Sequence, residues 1–101
     1  MLELTNNIER ITEAVGERGD IVAIATGQDC GLVMVDDGRQ FIVWRVAWEN
    51  GTPYTFSGAY EPYWHMEAGQ PAVNVRERIA ARRSAWENFV NRAPGGLRLH
   101  C

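Results

Sequence analysis

Glu61 and His65 are the residues best suited to acid–base chemistry, and they lie four positions apart in an aromatic-rich stretch. A carboxylate beside an imidazole can transfer protons, with the imidazole acting as a general base. The chain has no G-x-S-x-G motif, no phosphate-binding loop and no H-E-x-x-H motif that would supply a nucleophile or a metal. The sequence therefore predicts a protein that is not an enzyme, with His65 as an amphipathic loop residue against a sheet.

Cys30, His65, His100 and Cys101 are of the residue types that bind zinc. Their spacing fits no compact zinc motif, because only His100 and Cys101 are close in the chain. We therefore expect no metal and no cofactor. Two cysteines in 101 residues do not make a disulfide framework, so both are predicted to be free thiols.

Arg82 is an unusual residue because a helical wheel places it inside the apolar stripe of the last predicted helix. One interpretation is that its stem packs on the stripe while its guanidinium reaches an acid such as Glu49 or Glu61. The alternative is a guanidinium that binds an anionic ligand or a partner. Arg78 and Arg83 flank the same stripe and belong to the same candidate site.

Charge is unevenly distributed along the chain. Residues 1–70 carry four arginines and eleven acids, a net charge of −7, and residues 71–101 carry six arginines and two acids, a net charge of +4. An acidic body and a basic helix can attract each other. The basic helix could also bind nucleic acid through its phosphates, although the acidic remainder of the chain opposes that interpretation.

The elements that must position these residues follow from apolar periodicity and turn signals. Residues 5–16 predict a helix, 61–71 a loop and 72–93 a second helix. The Asp37-Gly38 and Asn50-Gly51 pairs predict hairpin turns between strands. The predicted strands are 21–26, 32–35, 40–48 and 53–60.

These elements predict one α+β domain over residues 1–101, built as a helix, a four-stranded antiparallel meander and a C-terminal helix. Residues 94–101 are predicted to be a flexible tail. The apolar stripe of the last helix is predicted to be its core face; it comprises Val75, Ile79, Trp86, Phe89, Val90 and Ala93.

If Asn50-Gly51 is a two-residue turn, residues whose numbers sum to 101 face each other across the third and fourth strands. Ile42 then faces Ala59 and Phe41 faces Tyr60, while Gly58 marks a bulge or a close backbone approach.

Both faces of the predicted sheet are apolar, and two helices must cover them, either one on each face or both on the same face. Trp44 and Trp48 are assigned to the core. An aromatic face left open would exceed what monomers usually expose, so it predicts an interface. The predicted partner-binding residues are Arg45, Tyr54, Phe56, Tyr60, Tyr63, Trp64, Arg78, Arg82 and Arg83.

The segments W-R-V-x-W (44–48), S-G-x-Y (57–60) and W-E-N-F-V-N-R (86–92) resemble short accessory proteins of phages and plasmids from GC-rich bacteria. The resemblance covers about half the chain. It implies a small antiparallel sheet with one or two helices, and a role in inhibiting or modulating a host protein. It carries over no site residues.

We therefore expect a non-enzymatic protein-binding module that binds a host protein complex through its aromatic sheet face. A homodimer formed through the same face, and nucleic-acid binding through the Arg-rich C-terminal helix, are the alternatives. No apolar run approaches the roughly 20 residues of a membrane span. The N-terminus has no basic leader followed by an apolar core, so the sequence predicts a cytoplasmic protein without a signal peptide.

Overall fold

The computed structural model of the protein describes residues 2–49 and 51–93, so the predicted tail over 94–101 lies outside the described residues. The fold is α+β, as predicted: a helix, a four-stranded antiparallel sheet, a small second sheet and a C-terminal helix. In chain order the elements are α1 Leu2–Val15, β1 Asp20–Thr26, β2 Cys30–Asp36, β3 Gln40–Glu49, β4 Thr52–Pro62, β5 Trp64–Glu67, β6 Gln70–Val73 and α2 Val75–Arg92.

The four long strands form a meander in the order β1-β2-β3-β4, with every neighbouring pair antiparallel. One helix covers each face, which gives three layers and settles the alternative that the sequence left open. On one face α1 buries Ile11 and Val15 against a cluster that includes Val33, Ile42 and Trp44. Trp48 packs against this cluster and Trp44 belongs to it, so the assignment of both tryptophans to the core is confirmed.

The other face of the sheet packs against α2. Ala81, Ala85 and Phe89 of the helix are buried there. The sheet contributes Leu32, Met34, Phe41 and Val43, and Tyr63 completes the cluster. Burial on both faces explains why β2 and β3 read as almost continuous apolar runs rather than alternating ones.

A bulge at Ser57 and Gly58 shifts the register between β3 and β4. Up to Phe56, which pairs with Arg45, partner numbers sum to 101 as predicted. Beyond the bulge Ala59 pairs with Val43 and Tyr60 with Ile42, so the predicted Ile42–Ala59 and Phe41–Tyr60 pairs are wrong. Ser57 has a φ of 53°, a left-handed conformation typical of bulges.

The bulge turns Tyr60 to the α1 face of the sheet, where it meets Trp44 edge-on with ring centroids 6.4 Å apart. The Trp44 Nε1–H donates to the Tyr60 hydroxyl at 3.4 Å. Gly58 combines both predicted roles, because a Cβ there would lie 2.7 Å from Trp44 Nε1. Tyr60 therefore does not share a face with Tyr54 and Phe56.

The segment predicted as a loop over 61–71 is largely regular structure, which corrects that prediction. Strand β4 continues to Pro62, and β5 and β6 form a short hairpin in which Trp64 pairs with Val73. Ala68 and Gly69 turn the chain with φ values of 51° and 79°, the conformation of a tight hairpin turn. Strands of four residues with a proline show too little alternation to be recognised from sequence.

Two further predictions are wrong. Cys30 is disulfide-bonded and is not a free thiol. The predicted core stripe of α2 is wrong at four of its six residues, because Val75, Ile79, Trp86 and Val90 are exposed; it is confirmed at Phe89 and Ala93, which are buried. At about 100° per residue, the centre of that exposed set lies about 100° around the helix from the buried line of Ala81, Ala85 and Phe89.

Candidate functional site

The outward side of α2 carries a row of large apolar side chains, which we call the α2 flank: Val75, Ile79, Arg82, Trp86 and Val90. The four apolar members are 71%, 55%, 49% and 44% exposed, in chain order. Ile79, Arg82, Arg83 and Trp86 line a surface depression of about 450 Å³. A contiguous exposed apolar strip of this kind is typical of an interaction surface.

The local sequence explains why the flank is not buried. The residues that α2 turns to the sheet include two alanines, Ala81 and Ala85, whose small side chains let the helix backbone approach the strands closely. Phe89 fills the space beyond them, and its ring stacks on that of Trp86 at 5.5 Å with 17° between planes. Phe89 thus connects the core to the α2 flank.

Polar contacts on the other side of α2 fix the rotation of the helix about its axis. Ser84 Oγ donates to Glu61 Oε1 at 3.2 Å, and Arg92 Nη1 donates to the Ser57 carbonyl at 2.8 Å. Both partners belong to β4, which lies at one edge of the sheet. On the wheel Ser84 and Trp86 lie on opposite sides of α2, so the α2 flank points away from β4, towards the side on which β1 lies.

A polar cluster ties the start of α2 to the sheet. Arg78 Nη2 lies 2.7 Å from Asp36 Oδ2, and the Tyr63 hydroxyl donates to Asp36 Oδ1 at 2.6 Å. Burial alone would raise the pKa of Asp36, but hydrogen bonds from Tyr63, the Gly38 N–H and Arg78 outweigh it and lower that pKa. Burial, reinforced by Asp36, raises the pKa of the Tyr63 hydroxyl.

This cluster engages two predicted residues and removes one of them, Tyr63, from the candidate surface. Tyr63 is only 3% exposed and belongs to the core beside Phe41. Arg78 is paired with Asp36, and its guanidinium lies over the rings of Phe41 and Tyr63 at 5.6 and 5.5 Å. The Arg78 side chain is nevertheless 48% exposed, so Arg78 positions α2 and stays at the surface.

Arg82 and Arg83, by contrast, are exposed. Within residues 2–49 and 51–93, neither guanidinium makes a hydrogen bond or an ion pair. Glu61, one of the acids predicted to receive Arg82, instead accepts from Ser84. The side chain of Glu49, the other acid, lies outside the described residues. Two cations therefore sit in and beside an apolar strip.

A second exposed group, the hairpin patch, consists of Arg45, Tyr54 and Phe56. Tyr54 and Phe56 are each 43% exposed, with ring centroids 5.8 Å apart. Their pairing with Ala47 and Arg45 places them on the α2 face, beyond the end of the helix. Burial and the charge of Arg45 both lower the pKa of Arg92, so the two guanidiniums lie near each other.

The remaining predicted residues lie on the small hairpin. Trp64 is half-buried, and the Arg39 guanidinium lies 5.4 Å from its ring centroid. His65 lies between Glu67, whose Oε2 is 3.4 Å from Nε2, and Glu77, whose Oε2 is 3.5 Å from Nδ1. Glu61 forms no hydrogen bond with His65, so the predicted acid–imidazole pair is replaced by a different one. The sequence missed Glu77 because it lies twelve positions away on α2.

No group of three or more metal-binding side chains occurs in the part of the chain that the structure describes. Neither described helix is long and apolar enough to cross a membrane. The chain matches no protein-family model, no curated protein and no solved structure.

Proposed function

We propose that this protein is a protein-binding module that docks its partner on the α2 flank. The observation that carries the proposal is the orientation of α2, which buries Ala81 and Ala85 while Ile79 and Trp86 face outward. A helix that only had to cover its own sheet would turn its large apolar residues inward.

Two properties of the α2 flank support a protein as the ligand. Desolvating exposed apolar surface stabilises an assembly by about 25 cal/mol per Å², and a strip of Val, Ile and Trp supplies such surface. Trp and Arg are also the residue types that most often dominate binding energy at protein interfaces. Trp86 and Arg82 lie one helical turn apart in the middle of the strip.

The identity of the partner rests on the resemblance alone. A host protein is the class of partner that the resemblance implies, and inhibition or modulation of that host protein in the cytoplasm is the role we propose. The hairpin patch lies beyond the α2 C-terminus and would extend the contact area for a large partner. A homodimer and a nucleic acid are the alternatives that the experiments below separate.

Affinity capture with matched variants tests the proposal. The immobilised wild-type chain, Ile79→Ser and the control Met66→Ser are each incubated with host lysate, with and without nuclease treatment, and bound proteins are compared by mass spectrometry. Met66 is a suitable control because it is 57% exposed, close to the 55% of Ile79, but lies on β5.

We expect a specific bound protein with wild type and Met66→Ser that is lost with Ile79→Ser. Circular dichroism should show all three chains folded. Equal capture by all three folded chains would contradict docking on the α2 flank. Loss of every bound protein after nuclease treatment would assign the surface to nucleic acid instead.

A further inference from the structure

We infer that the occupant of the α2 flank is an acidic amphipathic helix of another protein. This inference rests on the proposed function and adds the chemistry of the partner. It follows from three features of α2: the spacing of the apolar residues, the two arginines that have no partner among the described residues, and the like charges that a second copy would bring together.

The spacing of the α2 flank suits a helix lying alongside it. Steps of four, three, four and four residues separate its five members. The first three steps alternate between four and three residues, as in the seam along which two helices pack side by side, and the last step places Val90 one position past that pattern. From Val75 to Val90 the seam is about 22 Å long, at about 1.5 Å per residue, so a partner helix of about 15 residues would cover it.

The arginines specify the charge of that helix. Arg82 occupies the middle of the seam and Arg83 lies next to it, and neither has a partner within the described part of the chain. Covering a guanidinium with an apolar surface is costly unless a carboxylate replaces the lost water. Arginine and carboxylate form strong, often bidentate hydrogen bonds. A partner with Asp or Glu opposite the centre of the seam meets this requirement.

A second copy of α2 does not meet it. An antiparallel pair that matches Val75 with Val90 and Ile79 with Trp86 places Arg82 opposite Arg83 of the other copy. A parallel pair places Arg82 opposite Arg82. Like charges at the centre of an interface oppose association, so a second copy is disfavoured as the occupant.

The outer face of α1 is not a sufficient partner either. It presents Glu9, Glu13 and Glu17, all exposed, and so could supply carboxylates to another molecule. Among the residues whose side chains the structure describes, Thr12 and Gly16 lie beside these glutamates and offer no large apolar side chain, and the exposed Ile8 lies about 100° around the helix from Glu9. The partner must combine acids with apolar residues on one helix.

Two designed peptides of opposite charge test the inference. Each has about three heptads with Leu at positions a and d; the acid peptide has Glu at e and g and the base peptide has Lys there. Binding of each fluorescein-labelled peptide to the folded chain is measured by anisotropy at low salt. We expect the acid peptide to bind at least about tenfold more tightly than the base peptide, a difference of about 1.4 kcal/mol.

Variants of equal charge locate the interaction. Arg82→Glu should weaken the acid peptide by about tenfold or more and strengthen the base peptide. Arg76→Glu changes the net charge of the same helix by the same amount but lies about 80° from the centre of the α2 flank, so it should change both affinities little. Ile79→Ser should weaken both peptides. Since all three side chains are exposed, the variants should remain folded.

The other outcomes are equally decisive. Equal affinity for both peptides, or equal effects of Arg82→Glu and Arg76→Glu, would overturn the acidic partner but leave docking on the α2 flank intact if Ile79→Ser still weakened binding. Failure of both peptides to bind would reject a helical partner, while the capture experiment would still judge the proposed function. If the chain alone forms a dimer that Ile79→Ser dissociates, the surface belongs to a second copy. If a labelled single-stranded oligonucleotide binds the chain and Arg82→Glu abolishes that binding, the surface belongs to nucleic acid.

Discussion

At the scale of single residues, polar contacts decide how α2 lies on the sheet. Arg78 is held by Asp36, Ser84 by Glu61 and Arg92 by the Ser57 carbonyl, and each partner belongs to a strand. Because these contacts join α2 to β2 near the start of the helix and to β4 further along it, they select one rotation of the helix among those that the apolar residues would allow.

Asp36 accepts hydrogen bonds from Tyr63, the Gly38 N–H and Arg78, and its lowered pKa makes its contribution to stability dependent on pH. A carboxyl whose pKa is lower in the folded state stabilises the fold above its unfolded pKa, and that stability is lost as the pH falls through the folded value. Asp36→Asn should reduce the free energy of unfolding by about 1.5–3 kcal/mol at pH 7, the range for hydrogen bonds to charged groups.

Urea unfolding at pH 7 and near pH 3 measures this effect. The difference between wild type and Asp36→Asn should shrink at the lower pH, where the Asp36 carboxylate begins to take up a proton. A difference that stays constant between the two pH values would show that the charge of Asp36 does not hold the cluster.

Gly31 is a second position where one residue decides the packing. A Cβ there would lie 2.7 Å from Ile11 Cγ1, so α1 can approach β2 only because the side chain is absent. Gly31→Ala should cost about 1–3 kcal/mol of stability by overpacking. The double variant Gly31→Ala/Ile11→Val should recover part of the loss in thermal unfolding, and an additive loss would reject the contact.

At the scale of elements, α2 is a helix with two different apolar sides. One side fits the sheet through small residues, and the other presents large ones to solvent. The polar contacts of Ser84 and Arg92 with β4 hold α2 in the rotation that turns the small residues to the sheet and the large ones to solvent. The same sequence could pack its large residues inward only by breaking both contacts.

Paired alanine substitutions measure which side of α2 is the core. Phe89→Ala should cost about 3–5 kcal/mol, as expected for a buried aromatic side chain. Ile79→Ala, at a site that is 55% exposed, should change the free energy of unfolding by about 0.5 kcal/mol or less. Chemical unfolding of both variants gives the comparison, and a larger loss for Ile79→Ala would mean that the helix is rotated.

Sequence patterns predicted both helices and the four long strands, but missed β5 and β6 and several contacts between elements. Apolar periodicity and the Asp-Gly and Asn-Gly pairs predicted both helices and the meander, and Gly58 predicted the bulge. The rotation of α2 was missed because a helical wheel ranks residues by apolarity, whereas the sheet selects Ala81 and Ala85 by size. The position of Tyr60 was missed because the extra residue at Ser57 reverses the faces beyond it.

At the scale of the whole molecule, the three layers separate two kinds of surface. The α1 face presents glutamates to solvent, while the α2 face presents arginines within apolar surface. Each helix buries one of its sides against its own face of the sheet. The surplus of apolar surface therefore collects along the α2 flank and at the hairpin patch.

This arrangement predicts that Arg82 opposes the pairing of two copies of the chain through the α2 flank. If Arg82 opposes self-association, Arg82→Leu should create a continuous apolar seam and a dimer that forms with increasing concentration. Sedimentation velocity over a range of concentrations measures it. Arg76→Leu, outside the α2 flank, should remain monomeric, and a monomeric Arg82→Leu chain would show that the arginine is not the barrier.

The bulge at Ser57 also affects β4 as the last strand of its sheet. An open strand edge is a template on which another chain can add hydrogen bonds and begin to aggregate. Here Ser57, in its left-handed conformation, twists the β4 edge near its middle, and Arg92 donates to the Ser57 carbonyl. Pro53 and Pro62, towards either end of β4, have no amide N–H to donate. The inserted residue therefore makes the edge of β4 a poorer template for pairing with another chain.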